Sequence, residues 1–99
     1  MADTVFFPPR HKWLAEIIRL DTPENARKAA RQLAAEFRRS GRARQLTILR
    51  AINLAAIRAR IGAKNPNISE KERLEYRVIH GIYRRLYEKL AKEYKKEAG

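Results

Sequence analysis

The chain has 99 residues, the size of a single domain, and a formal net charge of +12 at pH 7. It contains no cysteine, which excludes disulfide bonds and thiolate metal sites. Eleven basic side chains and one acidic side chain, Glu36, lie between residues 25 and 64, so this middle segment carries a net charge of +10. A charge that only kept the protein soluble need not be concentrated in this way, and the pattern therefore favours a polyanionic partner.

The N-terminal segment does not have the pattern of a secretory signal. In MADTVFFPPRHKW no basic residue precedes the apolar stretch, which ends at Pro8 and Pro9. The longest apolar-rich segment, residues 46–61, is interrupted by three arginines and is too short to span a bilayer. We therefore expect a cytoplasmic protein without a membrane span. Its high content of Arg, Lys and Glu, with one Met, is typical of thermophilic proteins.

The hydrophobic periodicity predicts an all-α protein, a single-domain four-helix bundle with a long C-terminal helix. Residues 1–8 are expected to form an extended apolar arm that contains Val5, Phe6 and Phe7. No segment alternates apolar and polar residues with a period of two, so we predict no strand. The predicted helices span residues about 9–20, 23–39, 43–62 and 69–96.

The second predicted helix has clear signals at both ends. Thr22 is the expected N-cap and Pro23 the first helical residue. Gly41 is expected to end the helix in the left-handed conformation that glycine adopts without strain. Basic residues occupy the face opposite the apolar stripe, which contains Ala26, Ala29, Ala30, Leu33 and Phe37.

The third predicted helix is apolar on nearly its whole circumference. Its polar positions are interspersed with Leu46, Leu54, Ile57 and Ile61. We therefore predict that this helix is central and is covered by its neighbours on most sides. A buried helix cannot enter the major groove, so we reject a helix-turn-helix in which it would be the recognition helix.

The fourth predicted helix begins at a capping box, in which Ser69 and Glu72 exchange hydrogen bonds. At about 1.5 Å per residue it is roughly 40 Å long, so we expect its end to project or to pair with a partner. A stripe of aromatic and apolar residues on this helix is a candidate partner or dimer seam: Tyr76, Tyr83, Tyr87, Leu90 and Tyr94. Two interpretations stay open, a packing seam within the monomer or across a homodimer, and a platform on which unpaired bases stack.

The basic residues of the second helix and of the 38–44 corner are the candidate nucleic-acid contacts. Arginine suits phosphate because its planar guanidinium donates two parallel hydrogen bonds. The candidate contacts are Arg27, Lys28, Arg31, Arg38, Arg39, Arg42 and Arg44, with Arg77 and Arg84 as supplementary contacts. A solvated helix face is the alternative interpretation, although such faces usually mix the two signs of charge. The lysines and glutamates near the C-terminus are interpreted as ordinary surface pairs.

The sequence predicts no metal site, no cofactor site and no catalytic site. His11 and His80 are the two histidines, and His80 has no second ligand one helical turn away. Nucleotide-binding, hydrolase and metalloprotease motifs are absent from the sequence. We therefore expect that the protein is not an enzyme.

The residues favour a nucleic-acid-binding protein that contacts phosphates, largely without sequence specificity, with DNA preferred over RNA. Few Asn or Gln side chains accompany the basic residues, so readout of base edges should be weak. The alternative is a helical protein–protein interaction module or homodimeric adaptor that uses the long fourth helix, with the charge steering it to an acidic partner. Binding to a membrane surface is a third and less favoured class, because the apolar helix faces are needed for the core.

Overall fold

The computed structural model describes residues 12–98, and within this range α-helices are the only regular secondary structure. The four helices are α1 (Lys12–Ile17), α2 (Pro23–Arg38), α3 (Arg42–Ala63) and α4 (Glu70–Ala98). The all-α fold and the absence of strands are therefore confirmed for these residues. The predicted arm at residues 1–8 and residues 9–11 of the first predicted helix lie outside the described residues.

Helix α1 ends earlier than the sequence predicts. Leu14 and Ile18 are buried, but the regular helix stops at Ile17. The backbone N–H and carbonyl of Arg19 instead form hydrogen bonds with the hydroxyl of Tyr83 in α4. A contact with a distant part of the chain thus replaces the helical hydrogen bonds that the predicted helix would have made there.

The start of α2 and the start of α4 follow the predicted caps. The Thr22 hydroxyl accepts a hydrogen bond from the backbone N–H of Asn25 at 3.1 Å, and Pro23 begins α2. At α4, the Ser69 hydroxyl accepts from the backbone N–H of Glu72, whose carboxylate accepts from the backbone N–H of Ser69. Both caps satisfy backbone donors that have no partner within the helix.

Gly41 does not adopt the predicted left-handed conformation. Its φ of −75° and ψ of 176° are extended, and it serves as the N-cap of α3. The end of α2 is satisfied by other groups: Ser40 donates its hydroxyl to the Glu36 carbonyl, and the buried Gln45 side chain donates to the Phe37 carbonyl at 2.9 Å. Because these side chains bind the last carbonyls of α2, the helix needs no left-handed glycine to stop.

The core lies where α4 packs against the other helices. Arg42 at the start of α3 contacts Tyr94 near the end of α4, and Gly62 at the other end of α3 adjoins the Tyr76 ring. Helices α3 and α4 are therefore antiparallel, and α3 accompanies α4 as far as its last turn. Only about one turn of α4 therefore extends beyond α3, so the projecting end is much shorter than the sequence predicts. The largest fully buried side chains are Leu14, Leu33, Phe37, Ile48, Ile52, Ile79, Tyr83 and Leu90.

Helix α2 lies beside α4 and runs in the same direction. Arg38 at the end of α2 pairs with Glu93 near the end of α4. Asp21, just before α2, lines a small cavity together with Glu75 and Ile79 in the first half of α4. The two helices therefore lie side by side from the start of α2 to its end.

Helix α3 is less covered than the sequence predicts. Its inner face is buried, but Leu54, Ile57 and Ile61 are 39%, 37% and 63% exposed. The six residues of α1 are too few to cover this outer face, and α2 and α4 pack on the opposite side. The prediction of a helix covered on most sides is therefore wrong for the described part of the chain.

Candidate nucleic-acid interface

Two arginines of the 38–44 corner are held by groups of α4. Arg38 donates from Nε and Nη2 to the two carboxylate oxygens of Glu93, at 3.3 and 3.0 Å. Arg42 donates to the backbone carbonyl of Tyr94 at 2.7 Å, and its guanidinium lies 3.5 Å from the centre of the Tyr94 ring. These contacts join the end of α2 and the start of α3 to the last turns of α4.

The other two corner arginines share one carboxylate. Arg39 donates to Glu36, and Arg44 lies 3.7 Å from the same carboxylate. The Arg44 guanidinium also lies 4.0 Å from the centre of the Trp13 ring in α1. The hydrogen bond from Arg39 lowers the pKa of Glu36, so this carboxylate is ionised at neutral pH. Because two guanidinium groups share one carboxylate, the cluster keeps a net positive charge.

The Arg38–Glu93 pair is charged on both sides at neutral pH. The hydrogen bond from Arg38 lowers the pKa of Glu93, and the same bond raises the pKa of Arg38. The two side chains are 50% and 33% exposed, so solvent screens part of their attraction. The pair thus fixes α2 against α4 and leaves half of the guanidinium accessible.

Three arginines follow the edge of α2 that faces α4. Arg27, Arg31 and Arg38 are separated by four and seven residues, which places them on one side of the helix. Within residues 12–98, neither Arg27 nor Arg31 forms an ion pair. Lys28 lies 3.9 Å from Glu24 in a loose, exposed pair. Arg27 and Arg31, at the start of the basic tract, therefore carry charges that no carboxylate of residues 12–98 neutralises.

Helix α4 contributes a second row of cations beside this edge. An open hollow of about 490 Å³ is lined by Arg85, Glu88, Lys89, Lys92, Glu93 and Lys96. Both of its carboxylates are engaged by arginines from outside the hollow, Glu88 by Arg84 at 3.1 Å and Glu93 by Arg38. None of the four cations in the hollow forms an ion pair with a carboxylate of the described chain. The hollow is therefore a net positive surface next to the arginines of α2.

This row was not predicted as part of the interface. The sequence interpretation treats Lys89, Lys92 and Lys96 as partners of nearby glutamates and does not select Arg85. The structure assigns Glu88 and Glu93 to arginines instead. The spacing of residues 85, 89, 92 and 96, by four, three and four, is itself a helical stripe of like charge and is the sequence signal that identifies the row.

Arg77 and Arg84 lie on the other edge of α4. His80, three residues after Arg77 and four before Arg84, donates from Nδ1 to the Ala56 carbonyl of α3 at 2.9 Å. This edge therefore faces α3, whereas Glu93 and Lys89 lie on the side of α2. The predicted set of basic residues is thus divided between two edges of the protein.

The tyrosine stripe of α4 packs within the monomer. Tyr83 and Leu90 are completely buried, and Tyr76, Tyr87 and Tyr94 are partly buried against the core. Burial raises the pKa of Tyr83 to about 12. A dimer seam or a stacking platform built on Tyr83 and Leu90 would require the monomer to open.

The described residues contain no cluster that resembles a metal centre. No three His, Asp or Glu side chains converge within residues 12–98, and His11 lies outside this range. None of the helices between residues 12 and 98 has the length and the apolar character needed to cross a membrane. Comparison with protein-family models, curated proteins and solved structures gives no match to this chain. We therefore infer its function from its own residues.

Proposed function

We propose that this protein binds nucleic acid through the phosphates, largely without reading sequence, and that it prefers duplex DNA over RNA. The observation that carries the proposal is the basic edge shared by α2 and α4. This edge, called the α2–α4 basic edge below, consists of Arg27, Arg31, Arg38, Arg85, Lys89, Lys92 and Lys96. Glu93 of α4 lies within this edge on the side of α2, and its carboxylate is paired with Arg38.

The dimensions of this edge suit the backbone of a duplex. Residues 85 to 96 extend over about 16 Å of α4, and one strand of duplex DNA presents a phosphate about every 3.4 Å along its axis. The edge therefore has the length to meet about five phosphates. Glu93 and Glu88 would repel phosphate if they were unpaired, but each is bound by an arginine.

The position of the aromatic side chains favours duplex over single-stranded substrates. Proteins that bind unpaired bases usually offer exposed aromatic rings on which the bases stack. The tyrosines of α4 are directed into the core, and Trp13 is covered by the Arg44 guanidinium. Within residues 12–98 the α2–α4 basic edge thus offers charge without exposed aromatic rings, and this favours contact with the phosphate backbone.

The corner arginines already have contacts within the protein. Arg39 contacts a carboxylate, Arg42 a backbone carbonyl and Arg44 an aromatic ring, while the side chains of Arg39 and Arg44 stay 69% and 50% exposed. They add positive potential near the edge, and we propose that Arg27, Arg31 and the row on α4 make the direct contacts. The alternative of a homodimer through α4 is not part of this proposal, because Tyr83 and Leu90 are buried.

The test is fluorescence anisotropy of labelled duplex DNA, single-stranded DNA and duplex RNA with the full chain at low salt. A Lys89→Gln/Lys92→Gln variant should weaken duplex binding by about tenfold, since each lost phosphate contact weakens binding at all sequences. The matched control is Arg60→Gln/Arg77→Gln, which removes the same charge away from this edge, leaves the Arg84–Glu88 pair intact and should change the affinity by less than about twofold. Equal losses in the two variants would show that only the total charge matters, and no duplex binding at low salt would overturn the proposal.

A further inference from the structure

The outer face of α3 combines exposed aliphatic side chains with arginines. Leu54, Ile57 and Ile61 are separated by three and four residues, so they form one stripe opposite the buried face. The partly exposed Leu46 and the exposed Arg50 extend this stripe toward the start of the helix. We call these five residues the α3 outer face. It covers about 22 Å, or four helical turns.

A hollow adjoins the C-terminal end of this face. It has a volume of about 350 Å³ and is lined by Leu20, Arg58, Ile61, Gly62 and Tyr76. Leu20, Ile61 and the Tyr76 ring form the apolar part of the lining, and the Tyr76 ring packs directly against Gly62. Such a hollow accepts one large apolar side chain, which is how the central anchors of protein interfaces are held.

We infer that the α3 outer face is a docking site for an acidic amphipathic helix of another protein. Helix α3 contains no aspartate or glutamate, and three of its arginines, Arg50, Arg58 and Arg60, are exposed, so a helix that covers the face between residues 50 and 61 meets positive charge. The apolar stripe at spacings of three and four residues matches the stripe of a partner helix, and the arginines match acidic residues on its flanks.

Charge and geometry favour this occupant over two others. A second copy of the chain would bring the same arginines into contact with each other, and no carboxylate of α3 would compensate them. A membrane surface suits helices whose cations lie at the margins of the apolar face. Arg50, however, is four residues before Leu54 and seven before Ile57, within the line of the stripe. A cation at that place needs a carboxylate opposite it, which a protein partner can position.

The test uses the full chain and a fluorescein-labelled synthetic helix as the probe. The probe is an 18-residue peptide with leucine at heptad positions a and d and glutamate at e and g. Its control peptide has serine in place of every leucine and the same charge. The full chain should bind the leucine peptide at least about tenfold more tightly than the serine peptide, because only the former fills the stripe and the hollow.

Matched variants locate the site. Ile57→Ser/Ile61→Ser should remove the preference for the leucine peptide, while its affinity for duplex DNA stays unchanged. The control Leu74→Ser/Val78→Ser makes the same chemical change at exposed residues of α4 and should keep the preference. Arg50→Gln should weaken binding of the leucine peptide by about tenfold.

Several outcomes would overturn this inference. Equal affinities for the two peptides, or equal losses in the α3 and α4 variants, would show that charge alone attracts the probe. If sedimentation shows that the wild type is a dimer and that Ile57→Ser/Ile61→Ser is a monomer, the face is an interface with a second copy of the chain. The face would belong to a membrane surface under two conditions together. The chain would bind phosphatidylserine vesicles, with this binding abolished by Ile57→Ser/Ile61→Ser, and it would show no preference between the two peptides. The chain's own residues 1–11 would be the occupant if neither peptide bound until they were removed.

Discussion

The hydroxyl of Tyr83 donates a hydrogen bond to the carbonyl of Arg19 at 2.7 Å and accepts one from the backbone N–H of Arg19 at 3.1 Å. One buried side chain of α4 thus satisfies both backbone groups of the residue at which the chain leaves α1 and turns toward α2. The contact spans 64 positions in the sequence. It fixes the start of α2, and with it the register in which the arginines of α2 lie beside α4.

Replacement of this hydroxyl should destabilise the fold. Tyr83→Phe removes two hydrogen bonds, each worth about 1 kcal/mol, so we expect a loss of about 1–2 kcal/mol in the free energy of unfolding. The measurement is urea denaturation followed by circular dichroism. Tyr87→Phe is the control, because the Tyr87 hydroxyl has no hydrogen bond within the described residues, and it should be nearly neutral.

The same tyrosine predicts a loss of stability at alkaline pH. Burial raises its folded-state pKa to about 12, above the value of about 10 for an exposed tyrosine. Its contribution is therefore complete below pH 10 and is lost as the pH rises from about 10 to 12. Tyr83→Phe lacks this titration, so its stability should fall less than that of the wild type over this range. Parallel alkaline curves for the two proteins would contradict the prediction.

The Arg38–Glu93 pair should stabilise the fold at neutral pH and not in acid. Glu93→Gln should lower the free energy of unfolding at pH 7 by up to about 1 kcal/mol, since both side chains are partly exposed. The folded-state pKa of Glu93 lies below its usual value, so the contribution is present above the unfolded pKa of about 4.3 and disappears as the pH falls through the folded one.

Denaturant unfolding of the wild type and of Glu93→Gln across pH 3 to 7 checks this prediction. The two stabilities should converge toward the acid end of the range. Glu97→Gln removes an exposed carboxylate that forms no ion pair within residues 12–98 and serves as the control. A difference between wild type and Glu93→Gln that stayed constant with pH would mean that packing, and not charge, accounts for it.

Two helical glycines should respond in opposite ways to alanine. A Cβ at Gly62 would lie 2.7 Å from Cγ of the Tyr76 ring, a contact that the partly buried ring cannot easily relieve. At Gly81 the nearest atom is the mobile Nη1 tip of Arg85, at 3.2 Å. Gly62→Ala should therefore cost about 1–3 kcal/mol. Gly81→Ala should stabilise α4 by about 0.5–1 kcal/mol because alanine loses less backbone entropy.

Thermal and urea unfolding of the two alanine variants provides the measurement, with each variant acting as the control for the other. A stabilising Gly62→Ala would show that α3 and α4 do not approach as closely as the structure indicates.

Local signals in the sequence predicted some elements well. The Thr22–Pro23 start of α2 and the Ser69–Glu72 capping box of α4 depend on residues within one turn, and both are confirmed. The end of α1 depends on the hydrogen bonds between Arg19 and Tyr83, 64 residues away. The ion pair of Arg38 depends on Glu93, 55 residues away. Such contacts between distant residues have no local pattern, and the sequence interpretation therefore missed them.

Two further differences have identifiable causes. The prediction for Gly41 depends on residue type alone, whereas Gln45 and Ser40 satisfy the end of α2 and let Gly41 remain extended. The prediction of surface pairs for the lysines at residues 89, 92 and 96 depends on their nearness in sequence to glutamates, although the helical spacing of residues 85, 89, 92 and 96 places these cations in one row. The prediction that α3 is covered on most sides fails because apolar character alone does not show how many neighbours a helix has.

The salt dependence of duplex binding tests the central claim most directly. The affinity of the full chain for a labelled duplex DNA should be measured by anisotropy between low and moderate salt, for the wild type and for Lys89→Gln/Lys92→Gln. With about five phosphates neutralised at the α2–α4 basic edge, the logarithm of the affinity should fall against the logarithm of the salt concentration with a slope of about −4.5. The variant should reduce the magnitude of this slope by about 2. A slope near zero, or the same slope for the variant as for the wild type, would contradict binding of phosphates at this edge.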